Sequence, residues 1–221
     1  MKMSKKKLKK NSPLYAASKK TLDVLKRLCL ENPVLVSGLS LGPVVAISQS
    51  LKAGVSLSVA FAIIIIPVLV FFAFVPLKFS KSVRIVLCTL LSCICFIPAF
   101  WFTKNIFPEV SDKVGVFLPL MVVNPIITAH SGEAVRSKKP LTSLIDGVFT
   151  TVGFSLVMCI VSAFREILGK GTIWDAPIGK MQGNISFLLP FMGFIIIGFL
   201  AAAISKINMI LRESKDGEVK K

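Results

Sequence analysis

Three groups of residues in this 221-residue chain have types and spacing that could do chemistry. The first is Asp146 in SLIDGVFTTVG, the only acid inside an apolar run. A carboxylate at membrane depth is by default a candidate for an ion or proton path. A plainer reading stands beside it. With a helix starting near Thr142, Asp146 lies about one turn in, where it would favour the helix N-terminus or sit at headgroup level. The second group is His130 and Glu133 in TAHSGEAVRSKK. No further His, Cys or acid accompanies them at ligand spacing, so an interfacial hydrogen bond is expected there rather than a metal site.

The third group is a pair of interrupted apolar stretches. NPVLVSGLSLGPVVAIS carries Gly38, Gly42 and Pro43, and FLPLMVVNPIITAHS carries Asn124 and Pro125. Glycine loosens a helix, and an interior proline removes a backbone hydrogen bond. At membrane depth such breaks are tolerated only where the released N–H and C=O groups are buried in protein or line a polar site. Gly38, Gly42, Pro43, Asn124 and Pro125 are therefore the candidate midplane site. Asn124 offers an amide, carbonyls near Gly42 and Asn124 could coordinate a cation or polar ligand, and Ser37, Ser40 and Ser48 add hydroxyls. The alternative is two proline kinks that only shape the bundle.

Other reactive residue types have plainer readings. Cys29, Cys88, Cys93, Cys95 and Cys159 include no zinc spacing and read as small apolar thiols packed in helices. Arg165 and Glu166 in FREILGKGTIWD read as an outer interfacial cap, and Trp101 and Trp174 as an aromatic belt. No phosphate-binding glycine loop, dinucleotide fingerprint, HExxH or nucleophile elbow is present.

The elements that must position these residues are membrane helices. Hydrophobic residues make up 54% of the chain and charged ones 17%, against about a quarter charged in a soluble domain. Apolar runs recur at 33–50, 55–77, 83–102, 114–130, 142–164 and 187–205, near the roughly 20 residues a crossing needs. The expected fold is an all-α integral membrane protein with six transmembrane crossings. Lys and Arg concentrate in the N-terminal tail, in Lys78/Lys81/Arg84, in Arg136/Lys138/Lys139 and at the C-terminus. The positive-inside rule then puts both termini in the cytoplasm. The basic start, MKMSKKKLKK, matches no signal-peptide pattern and no nucleic-acid motif, so a tail against anionic lipid is expected and no nucleic-acid partner.

Setting Pro43 over Pro125 aligns LSLGPVVAIS with MVVNPIITAH, and each leads into a long apolar helix. The chain reads as two three-helix repeats of opposite orientation, with the first and fourth crossings broken into half-helices. The expected organisation is a basic cytoplasmic tail over 1–31, repeats over 32–110 and 111–208, and a cytoplasmic tail over 209–221.

At these residues the sequence resembles the membrane subunits of the Rnf and Nqr electron-transport complexes, most closely the RnfE/NqrD type. NPVLVSGLSLGP is similar to that family's NPVLVxGLGLCP, and LPLMVVNP to its IPLIVTNC. SLIDGVFTTVG resembles ALDGxxxGxG, and FREILGKGTIWD resembles MREIIGxGTLFD. The resemblance implies a subunit paired with a homologous subunit inserted the other way up. It also implies one iron–sulfur cluster held by one cysteine from each broken helix, in a complex coupling electron transfer to Na+ or H+ translocation. The family's two cysteine positions fall on Gly42 and Pro125, which offer no side-chain ligand atom, so no [2Fe-2S] cluster is expected to be bound by this chain alone. The resulting expectation is a non-catalytic subunit of a redox-driven ion translocase, multi-pass in the cytoplasmic membrane, with other membrane subunits of such a complex as partners. The alternative is an inverted-repeat transporter of ions or small molecules on the same frame.

Overall fold

The computed structural model describes residues 34–35, 38–76, 79–178 and 183–219. The basic tail over 1–31, Cys29, Pro33, Ser37 and Lys78 lie outside the described residues. The helices are α1 (Leu41–Ile47), α2 (Leu51–Phe72), α3 (Lys81–Ile106), α4 (Pro108–Phe117), α5 (Pro119–Val122), α6 (Pro125–Ser137), α7 (Pro140–Lys170) and α8 (Pro190–Val219). Strands β1 (Thr172–Ile173) and β2 (Ala176–Pro177) form a two-residue antiparallel ladder, and a 3-10 turn spans Ile185–Leu188. Among the described residues, five segments are long and apolar enough to cross a membrane: Leu51–Phe72, Lys81–Ile106, Val114–Ser137, Pro140–Lys170 and Pro190–Ile210.

Prolines and serine caps, more than hydropathy, set the helix ends. Helices α4 to α8 all begin on proline, whose missing N–H is an orphan at that position anyway. Ser50 accepts from Ala53 N at 3.3 Å and starts α2 four residues before the apolar run predicts. The last helix continues to Val219, into the segment set apart by sequence as a tail, because no proline interrupts it.

α2 is apolar on every face after Lys52, and such a helix belongs in the interior. Leu57, Phe61, Ile64, Ile65, Val68, Leu69 and Phe72 are fully buried. Its main partner is α7. A Cβ on Gly54 would meet Ser162 Oγ, and one on Gly147 would lie 3.6 Å from the Ile66 backbone. Midway, the Phe61 and Phe154 rings pack with centroids 4.5 Å apart. These three contacts run in opposite chain order, so α2 and α7 are antiparallel at close approach, with small residues where the backbones meet. By contrast α3 and α8 bury few residues and turn large apolar side chains such as Ile94, Ile97 and Phe199 outward.

Candidate functional site

Both interrupted stretches break, and each does so just before its proline. In the first, the chain turns at Gly38 to Ser40, with φ of +65° at Gly38 and +66° at Ser40. The left-handed conformation at Ser40 is one that non-glycine residues seldom adopt. α1 starts directly after it, so Gly42 and Pro43 sit inside the first turn, where a proline costs no intrahelical bond. The expectation that Gly42 and Pro43 form the break is corrected accordingly: they lie just inside the half-helix that follows it. In the second stretch α5 ends at Val122, and Pro125 is the first residue of α6.

The two breaks touch. Asn124 is buried and caps α6, its Oδ1 accepting from Ile126 N at 2.9 Å. Its Nδ2 donates to Ser40 Oγ at 2.8 Å. Ser40 and Asn124 are thus the N-cap residues of two half-helices, joined side chain to side chain. The cap carbonyls are engaged within the helices. The carbonyl of Ser40 accepts from Val44 N, and that of Asn124 from Ile127 and Thr128 N. Those two carbonyls begin helical ladders. What a helix start leaves over is N–H groups and the positive dipole end. The junction is electrostatically suited to a negative or electron-rich group.

Among the described residues no cysteine flanks this junction. Gly42 is exposed with open space where a Cβ would go, and Pro125 is exposed at the first turn of α6. Cys88 is buried on α3 among the hydroxyls of Ser92, Thr128 and Ser131, while Cys93 and Cys95 lie farther along α3 and Cys159 lies on α7. The residues at the junction therefore do not match the donor set of an iron–sulfur cluster, which is held by cysteine thiolates.

A second cluster assembles from residues that lie apart in the sequence. His130 Nδ1 lies 2.8 Å from Asp146 Oδ2, joining α6 to α7. Glu133, one turn beyond His130, brings a carboxylate so that all three ligand atoms lie within 4.8 Å of one another. The expected hydrogen bond to His130 thus has Asp146 as its partner. The i, i+3 spacing of His130 and Glu133 was the available signal, since it puts both on one helix face. Asp146 joins them only because α7 folds back along α6. It sits six residues after Pro140, about 9 Å along the helix.

Arg165 and Glu166 go beyond an outer cap, for both are fully buried. Arg165 Nη1 donates to Val45 O and Ser48 Oγ, each at 2.6 Å, and its Nη2 and Nε donate to the carbonyls of Leu188, Leu189 and Phe187. Glu166 accepts from Leu51 N, Asp175 N and Thr172 Oγ1. A cation therefore closes the C-terminus of α1 and an anion closes the N-terminus of α2, each at the helix end that favours it. The turn between α1 and α2 is clamped by two neighbouring residues of α7. Asp175 is held there by a tight hairpin, with φ of +56° at Trp174 and +61° at Asp175.

Comparison with known proteins bears on this arrangement. The family described as "Rnf-Nqr subunit, membrane protein" matches residues 21–201. The E-type subunit of the ion-translocating oxidoreductase complex of Shewanella oneidensis is 30% identical over 198 residues, covering 82% of this chain and 85% of that protein. The D-type subunit of the Na(+)-translocating NADH-quinone reductase of Pseudoalteromonas atlantica is 26% identical, over 76% of this chain and 84% of its own. The E-type subunit of the proton-translocating ferredoxin:NAD(+) oxidoreductase complex of Clostridium ljungdahlii is 28% identical, over 89% and 93%.

Proposed function

The chain belongs to the Rnf-Nqr family of membrane subunits, and from that premise we propose that it is a membrane subunit of an ion-translocating Rnf/Nqr oxidoreductase complex. Its own part is to build the frame and an ion or proton path, with no iron–sulfur cluster held by this chain alone. Repeats over 32–110 and 111–208 cross the membrane three times each in opposite senses, both termini are cytoplasmic, and a homologous subunit of opposite orientation is the partner. The antiparallel packing of α2 on α7 and the bond between the two half-helix caps support the inverted repeat. Asp146, held by His130, is the group that takes up the ion or proton.

The observation that carries this reading is the Ser40–Asn124 junction, where two helix starts converge with no cysteine beside them among the described residues. Two measurements test it. Iron is determined on the chain purified with its partner subunit. None in excess of the partner's own is expected, and a cluster ligated by this chain overturns the cluster part. Donor-dependent ion uptake is then measured in proteoliposomes holding the whole complex. Asp146→Asn is expected to lower uptake at least tenfold while the complex still assembles. Uptake by this chain alone, with no electron donor, would instead establish the transporter reading.

A further inference from the structure

A groove of about 690 Å³ opens between α3 and α6, reaching from Lys81, Arg84 and Arg136 to Val123 and Pro125 beside the junction. Lys81, Arg84 and Arg136 line one end together with Glu133, leaving a surplus of positive charge. Arg84 Nε is shut off from solvent and has no hydrogen-bond partner among the described residues. A buried guanidinium N–H in that state calls for an acceptor that the described residues do not supply. The floor beside these cations is open. A Cβ at Gly132 would meet nothing within 4 Å, so a bulky anionic group can lie against α6.

Beyond the cations the lining is mainly apolar, with two hydroxyls, Thr128 and Ser131, the latter donating to Thr128 O. Ile85, Val123 and Pro125 form its wall, and Val123 is largely exposed. From Arg136 to Pro125, α6 runs about 16 Å at 1.5 Å per residue. Half of a bilayer's hydrocarbon core is about 15 Å. Cations at one end and the apolar side chains of Ile85, Ala129, Val123 and Pro125 beyond them, over a groove of that total length, match a phosphate with an acyl chain attached, whereas a soluble phosphate would need only the cations.

We propose that this groove is a binding site for one anionic phospholipid, with its phosphate held by Arg84, Arg136 and Lys81 and one acyl chain lying along α6 toward Pro125. Basic pockets between transmembrane helices suit such headgroups. The site adds a lipid contact at the very half-helix whose start meets Ser40, and it stands whatever the complex transports.

The full chain, purified in detergent, is titrated with phosphatidylglycerol or phosphatidylcholine and bound lipid is counted by native mass spectrometry. One phosphatidylglycerol is expected to be retained in preference to phosphatidylcholine. The double variant R84Q/R136Q is expected to weaken it about thirtyfold. Gly132→Leu, which keeps every charge but fills the floor, is expected to weaken it too, while Lys104→Gln at the far end of α3 leaves it unchanged. Equal retention of phosphatidylcholine by the wild-type chain overturns the proposal, a readout that needs no variant to fold. So does undiminished binding in the folded double variant, or glycerol 3-phosphate competing as well as the whole lipid, which would assign a soluble anion.

Discussion

At the residue scale, Arg165 is the most heavily committed side chain. A guanidinium that donates to four backbone carbonyls and a hydroxyl cannot be replaced by a point charge, because its planar fork fits several acceptors at once. Arg165→Met leaves buried carbonyls without their donor, at an expected cost of about 3 kcal/mol. Arg165→Lys is expected to recover less than half of that in thermal unfolding. Asn124 makes two different bonds, and substitutions separate them. Asn124→Asp keeps the acceptor that caps α6 but loses the donor to Ser40, whereas Asn124→Ala loses both. Loss of the cap alone costs about 1 kcal/mol, so Ala is expected to be the more damaging of the two by roughly that margin. Equal melting temperatures would show that the cap contributes nothing.

At the element scale, the close pairing of α2 and α7 depends on Gly54. An added Cβ there would overlap Ser162 Oγ, which is itself buried without a hydrogen-bond partner among the described residues. Gly54→Ala is expected to destabilise by about 1–3 kcal/mol through overpacking, and Ser162→Gly in the same chain to relieve most of it. Gly42 is the opposite case. It lies in a helix with open space beside it, so Gly42→Cys is expected to fold normally and gain a few tenths of a kcal/mol at most. That makes the thiol of Gly42→Cys a clean probe of the junction. The two glycines cannot be told apart in sequence, since their neighbours come from helices distant in the chain.

At the scale of the whole molecule, orientation in the bilayer is decisive. Arg136 lies in the last turn of α6 and Lys104 in the last turn of α3, which on six crossings are opposite sides of the bilayer. Single cysteines at these positions, in a chain with its native cysteines removed, are expected to react with an impermeant maleimide from opposite faces of the cell membrane. Arg136→Cys is expected to react from the inside. Labelling of both from one face is incompatible with the inverted repeat. The apolar faces of α3 and α8 need a cover, and lipid and neighbouring subunits supply it in a membrane complex.

Much of this was legible in the chain itself. Apolar run lengths reported five of the six expected crossings as long apolar helices among the described residues, because a bilayer imposes a length and a composition on every crossing. Four short motifs carried the family, which the match over residues 21–201 bears out. Tertiary structure decided the rest. Local pattern does not report which cap meets which, so the Ser40–Asn124 bond, the Asp146–His130 pair and the reach of Arg165 to Val45 came only from packing. Those contacts join residues whose meeting is set by how α2 and α7 lie together, and no periodicity in either helix encodes it.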